Sequence, residues 1–201
     1  MQWKSADIPQ ALLLSAPHGH GTMEYCSHII GRAKEKASRT NGSVLYFFCS
    51  SATGPQCSHI VHTLLHQVVC CSSDGMANYI AAAFLSALVA GHFHRSQSQD
   101  FREDDPLETT VQKILSAPDY ELIEALAEAI KKSGIQELSI IVDGLQENIA
   151  YSLFQLITEA TPKSKVLFTT QHQFEEIPHR VTYYIEYDKE RKGLHVHHSP
   201  A

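Results

Sequence analysis

Four short runs of branched and aromatic residues, none of which carries a charge, constrain the fold of this chain most strongly. The runs are Ala11–Leu14, Val44–Cys49, Leu138–Val142 and Val166–Phe168. Apolar runs without polar alternation are typical of strands that are buried on both faces of a parallel sheet. A fifth strand, rich in Thr, Tyr and Ile, is predicted over Val181–Tyr187.

Helical patterns separate these strands. They cover Thr22–Lys36, Gln56–Val69, Met76–Ala90, Leu107–Leu115, a segment that Asp119 caps and Gly134 ends, and Asn148–Ala160. A polar loop is expected over His92–Pro106. Strands that alternate with helices predict an α/β fold, a parallel β-sheet flanked by helices on both faces. We expect a single domain over residues 1–201 with a polar tail from about residue 189.

Charge and composition exclude several classes of protein. The 16 Lys and Arg residues are outnumbered by 22 Asp and Glu residues, and no dense basic run occurs, so we expect no nucleic-acid partner. Met76–Ala90 is apolar but spans fewer than the about 20 residues that cross a bilayer, so we expect a buried helix and no membrane partner. The five cysteines form no CxxC pair and follow a polar start, which predicts reduced thiols and a cytoplasmic protein.

A glycine-containing loop and an acidic residue at the end of a strand are the features of the sequence that point to a functional site. The loop runs from Ser15 to Gly21 between the first strand and the first helix, and Asp143 ends a strand about 120 residues later. A further strand ends in Thr169 and Thr170. In P-loop NTPases the loop amides and the helix N-terminus hold phosphates, a lysine and a hydroxyl follow, and an acid on a second strand completes the metal site.

The order and spacing of these segments resemble the nucleotide-binding core of the NACHT (STAND-class) signalling NTPases, in the style common in fungal proteins. The resemblance covers roughly residues 8–190, and the matching segments are Leu12–Gly21, Ser43–Ser50, Leu138–Glu147 and Lys165–Gln171. It implies a P-loop NTPase-like three-layer sandwich and ATP or GTP with magnesium as ligand. It also implies Asp143 as the metal ligand and Glu147 as the acid that activates water. The implied phosphate-binding residues are Ala16, Pro17, His18, Gly19, His20, Gly21, Thr22 and Met23.

Departures from the family pattern predict lost hydrolysis. Thr22 stands at the lysine position, Met23 at the magnesium hydroxyl and Gln171 where an arginine is usual. Because phosphoryl transfer depends on positioning and charge stabilisation, each of the first two losses should cost several kcal/mol. The amides of Gly19 and Gly21 leave a weak anion site, which His18 and His20 strengthen below about pH 6.5.

Two functions follow, and both remain open on the sequence. The first is a degenerate NACHT/STAND-type pseudo-NTPase, a signalling or interaction module with protein partners or self-association. The alternative is an active, magnesium-dependent ATP or GTP hydrolase that relies on His18, His20, Asp143 and Glu147. A loop without any ligand, and Asp143 as a simple cap or ion-pair partner, are equally compatible with the pattern.

The 13 histidines suggest a third class. His59, His62 and His66 are three and four residues apart, so one helix face could present all three to a metal, near Cys57. Thr63 stands where a metalloprotease would need its glutamate, so we favour a solvated face. His195, His197 and His198 read as a frayed tail, and Tyr183, Tyr184 and Tyr187 as packing residues or a contact surface.

Overall fold

The structure of the protein, a computed structural model, divides the chain into two compact units. A sheet unit comprises Met1–Gln56 and Ile135–Ala201, and a helical unit comprises Cys57–Gly134. The structure describes residues 10–16, 21–40, 42–49, 57–73, 75–96, 117–145, 149–150, 152–153, 163–170, 183–188 and 193–198.

In the residues that the structure describes, the sheet unit contains six strands. They are β1 (Gln10–Ser15), β2 (Ser43–Phe48), β3 (Glu137–Asp143), β4 (Lys163–Thr170), β5 (Tyr183–Asp188) and β6 (Gly193–His198). The strand order is β2-β3-β4-β1-β5-β6, and all neighbours are parallel except β5 and β6. The predicted α/β class with a parallel sheet is confirmed.

Helix α1 (Thr22–Thr40) covers one face of this sheet. Cys26 and Ile30 of the helix pack with strand residues to form one core cluster. The strand residues of that cluster are Leu12, Leu14, Val44, Ile141 and Leu167. The alternate positions Leu13, Leu45 and Ile140 are buried too, which is why the runs in the sequence lack polar alternation.

Among its described residues, the helical unit contains α2 (Cys57–Cys71), α3 (Ala77–Ser96) and α4 (Asp119–Ser133), with α4 packed against both others. Gly134 adopts the left-handed conformation, with φ of 73°, and ends α4 as predicted. The predicted cap Asp119 is wrong by one residue. Pro118 takes the cap position, because its ψ of 152° lies outside the helical region, and Asp119 lies in the first turn near the positive helix end.

Other predictions are corrected or lie outside the described residues. The predicted tail is wrong where Gly193–His198 forms β6, since Leu194 and Val196 alternate with histidines at the period of a strand. Helix α3 continues to Ser96, into the stretch that we expected to be a loop. The predicted helix over residues 107–115 lies outside the described residues, and within 148–160 residues 149–150 and 152–153 are helical.

In the described ranges, no helix combines the length and the apolar character that a membrane crossing requires. All five cysteines are free in the structure, Cys26 and Cys57 buried and Cys70 and Cys71 exposed.

Candidate functional site

Asp143 lies at the carboxyl end of β3, at the edge of the sheet where parallel strands present their ends together. The register pairs Phe48 of β2 with Asp143, and Val142 with Phe168 of β4. On the far side of β4, Thr170 pairs with Ser15, the last residue of β1. Ligands of open α/β sheets bind outside the carboxyl ends of the strands, so this edge is the candidate site.

The carboxylate of Asp143 is bound by the protein itself. The hydroxyl of Thr169 donates a hydrogen bond of 2.5 Å to Asp143 Oδ1, and the Gly144 amide donates one of 2.9 Å to that hydroxyl. The Leu145 amide donates to the Thr169 carbonyl at 2.9 Å. These bonds join the ends of β3 and β4, and they fix the side chain of Asp143 on a buried hydroxyl.

Cys26 approaches the same carboxylate from α1. Its thiol is fully buried, and it donates to Asp143 Oδ1 with an S···O distance of 3.9 Å. Burial, then the charge of Asp143 and this hydrogen bond, raise the pKa of the Cys26 thiol to about 12. The thiol therefore stays protonated at neutral pH and acts as a donor.

Cys49, directly after β2, lies beside Asp143. Its amide donates to the Asp143 carbonyl at 2.9 Å. Burial, followed by the charge of Asp143, raises the pKa of the Cys49 thiol to about 12. Gly144 turns the chain beside it with φ of 77°, and a Cβ there would lie 3.3 Å from that of Cys49.

The ends of the glycine loop are described, and its centre is not. Ala16 is buried, and its amide donates to the Thr170 carbonyl at 3.1 Å. Gly21 has φ of 74°, and its carbonyl accepts the first hydrogen bond of α1 from the Tyr25 amide at 2.9 Å. Pro17, His18, Gly19 and His20 lie outside the described residues, as does the proposed acid Glu147.

The start of α1 presents no magnesium hydroxyl. Thr22 is partly buried, and Met23, at the position of that hydroxyl, is half exposed. Cys26, three residues after Met23, extends a side chain from α1 to Asp143. Magnesium prefers oxygen ligands and is commonly held by one or two carboxylates together with water and phosphate oxygens. Of the two predicted ligand positions that the structure describes, Asp143 keeps its carboxylate and Met23 offers a thioether in place of a hydroxyl, so the described residues fit a magnesium ion only in part.

The carboxylate of Glu24 lies at the N-terminal end of α1. Glu24 Oε2 is 3.6 Å from the point where a Cβ on Gly21 would lie, so this side chain folds back over the first turn. A glutamate here complements the positive end of the helix, as in a capping box. It therefore places negative charge at the N-terminal end of α1, next to Gly21.

Of the residues predicted to form a metal site on α2, the three histidines are exposed to solvent and the cysteine is not. His59, His62 and His66 are exposed, and Cys57 is buried with its thiol directed to the Asp119 carbonyl at 3.8 Å. Burial, then the charge of Asp119, raises the pKa of Cys57 to about 12. Within the described part of the chain, no three His, Cys, Asp or Glu side chains are grouped to hold a metal ion.

Comparison with known proteins supplies a family. A family model described as Nephrocystin 3, N-terminal, matches residues 1–171. The chain belongs to the Nephrocystin 3 N-terminal family. This membership, with the parallel sheet and Asp143 at a strand end, supports a P-loop NTPase-like fold. It does not single out the NACHT class, so that assignment stays a prediction.

A solved structure from Aeropyrum pernix, the ORC2 protein in ADPNP-ADP complexes, is similar with a TM-score of 0.47 and 13% identity. The match covers 92% of this chain and 43% of that chain, so this chain spans less than half the length of that protein. No curated protein sequence matches.

Proposed function

We propose that this Nephrocystin 3 N-terminal domain is a degenerate signalling NTPase of the NACHT/STAND type, which binds nucleotide weakly and acts through protein partners or self-association. The observation that carries the proposal is the state of Asp143. Its carboxylate accepts from the Thr169 hydroxyl and the Cys26 thiol, and Met23 stands where a magnesium hydroxyl belongs. The described part of the site thereby lacks the lysine and the metal-binding hydroxyl on which phosphoryl transfer depends, since Thr22 and Met23 stand at those positions.

Charge at the start of α1 supports weak binding. Glu24 lies beside Gly21, and no Lys or Arg occurs between Gly21 and Arg32. A triphosphate would meet this carboxylate with no neighbouring cation on the helix. The loop amides and the helix N-terminus remain as attractive groups, and they favour anions without requiring a metal.

A calorimetric titration of the full chain with ATP, ADP and GTP, with and without magnesium, tests the proposal. We expect affinities no tighter than about 0.1 mM and no effect of magnesium. Binding should strengthen between about pH 7.5 and about pH 6, because His18 and His20 gain charge in that interval.

Glu24→Gln tests the electrostatic argument, with Glu35→Gln as the matched control. Removing the carboxylate beside Gly21 should tighten nucleotide binding roughly fivefold, the effect of a repulsion of ~1 kcal/mol. Glu35 lies on the same helix, where it pairs with Arg39 at 2.7 Å, so its substitution should leave the affinity unchanged.

Measured hydrolysis of a nucleotide would favour the alternative function, an active hydrolase. Magnesium-dependent hydrolysis of ATP or GTP that disappears in Glu147→Gln would replace this proposal with the active hydrolase. Tight, magnesium-dependent binding would contradict it equally, because it would require a metal site that Met23 and the Thr169–Asp143 bond oppose.

A further inference from the structure

Helix α2 has an unusual solvent face. Its exposed residues are His59, His62, His66, Cys70 and Cys71, so every one of them is a metal-ligating type. The exposed face of an amphipathic helix ordinarily carries Lys, Glu, Arg or Gln. Here no Asp, Glu, Lys or Arg occurs anywhere in Cys57–Cys71.

Two of these side chains already lie side by side. His66 and Cys70 are four residues apart, one above the other on the helix. The Sγ atom of Cys70 is 3.8 Å from Nδ1 of His66 and 3.8 Å from Nε2. Because both residues are exposed, neither buried packing nor a covering side chain prevents an ion from reaching the pair.

The spacing suits a tetrahedral zinc ion. Zinc–sulfur bonds of about 2.3 Å and zinc–nitrogen bonds of about 2.0–2.1 Å, at a tetrahedral angle, place the two ligand atoms about 3.6 Å apart. Small side-chain rotations close the remaining difference. Thiolate and imidazole ligands without a carboxylate favour zinc over magnesium or calcium.

One copy of the chain supplies too few ligands. A closed structural zinc site needs four, and the described residues contain no group of three suitable side chains. A two-fold axis through the ion would bring the same pair from a second copy, which gives two thiolates and two imidazoles.

We propose that His66 and Cys70 form half of a zinc site that a second copy of this chain completes. On binding, the Cys70 thiol releases its proton to solvent and coordinates as thiolate, and His66 coordinates through a neutral ring nitrogen. The site joins two copies through α2, and it is independent of the nucleotide question.

The test uses the full chain, purified without a histidine tag, kept in a phosphine reductant and stripped of metal. Titration with Co²⁺ should produce thiolate-to-cobalt charge-transfer absorption that saturates at about one ion per two chains. Sedimentation with Zn²⁺ should show the mass double. Saturation at about one ion per chain without a change of mass would overturn the shared site.

Matched variants locate the ligands. Cys70→Ser and His66→Gln should each abolish the absorption and the dimer. Cys71→Ser and His59→Gln should retain both, because Cys71 is displaced by about 100° around the helix from Cys70 and His59 lies two turns from His66. Equal loss in Cys71→Ser and Cys70→Ser would refute the assignment, as would zinc-dependent dimers in Cys70→Ser. Circular dichroism checks that every variant keeps its helices.

Discussion

At the scale of single residues, the hydroxyl of Thr169 determines how Asp143 is held. It donates to the buried carboxylate and accepts from the Gly144 amide. Thr169→Val keeps the shape of the side chain but leaves both groups without this partner. We expect a loss of about 1.5–3 kcal/mol in the free energy of unfolding, measured by urea denaturation.

Thr169→Ser is the control for that substitution. Serine keeps the hydroxyl and removes only a methyl group, so most of the stability should return. If Thr169→Val and Thr169→Ser unfold at the same urea concentration, the hydroxyl is not what stabilises the strand ends.

The cysteines should differ in their reactivity toward alkylating reagents. Burial, with the charge of Asp143, raises the pKa of Cys26 from 9.0 to about 12, while Cys70 and Cys71 are exposed. At about pH 8 the thiolate fraction of Cys26 is on the order of 1 in 10⁴. Iodoacetamide under native conditions should therefore modify Cys70 and Cys71 first and Cys26 last, as peptide mass spectrometry would record.

The raised pKa of Cys26 also makes the stability of the folded protein depend on pH. The folded-state pKa of Cys26 is raised, so its contribution to stability is present below about pH 9 and is lost as the pH rises through about 12. Rapid modification of Cys26 in the folded protein at about pH 8 would show that α1 does not bury this thiol.

At the scale of elements, the turn after β3 depends on Gly144. Gly144 and Gly134 both have left-handed φ angles, 77° and 73°, but only Gly144 has a neighbour within 4 Å of an added Cβ. Gly134→Ala should cost about 1 kcal/mol for backbone strain. Gly144→Ala should cost at least about 2 kcal/mol, because the new Cβ also meets Cys49 at 3.3 Å. Equal losses in thermal or urea unfolding would mean that strain alone requires these glycines.

The strands and most helices could be predicted because their signals are local. The uncharged run Leu138–Val142 and the apolar spacing of α4 each lie within one element. The signal for β6 is also local, since Leu194 and Val196 alternate with histidines, but the polar histidines favoured a tail and the strand was not predicted.

The surroundings of Asp143 could not be predicted in this way. Cys26 is 117 residues from Asp143, and Thr169 is 26 residues away. The register of β3 and β4 brings Thr169 beside Asp143, and the packing of α1 on the sheet brings Cys26 there. Nothing in the sequence states which residue of α1 faces the end of β3. The pairing of Asp143 with the end of β4 had a partial signal, since Thr169 and Thr170 end a buried run.

At the scale of the whole molecule, the sequence predicts several helices in a row between the second strand and the strand that ends in Asp143. The structure places the described helices of this segment, α2, α3 and α4, in a compact unit of their own. No composition shift marks its ends, because Gly134 and the segment before Cys57 resemble ordinary helix boundaries. The single domain over residues 1–201 stays a prediction, and the independence of the helical unit is open to experiment.

The segment Cys57–Gly134 should therefore fold when it is expressed alone. Helix α4 packs against both α2 and α3, and Leu64, Ile80 and Leu126 are fully buried in these helices. A core in a chain of fewer than about 80 residues supplies at most about 3–5 kcal/mol. We expect a helical circular dichroism spectrum and a cooperative but low-temperature melting transition.

Leu126→Asp in the same segment is the control, because it places a charge in that core. The variant should lose the transition and most of the helical signal. A wild-type segment with the spectrum of Leu126→Asp would show that the three helices require the sheet unit to fold. Their separation would then be geometric rather than energetic, since packing among α2, α3 and α4 alone would be too weak to balance the conformational entropy of the chain.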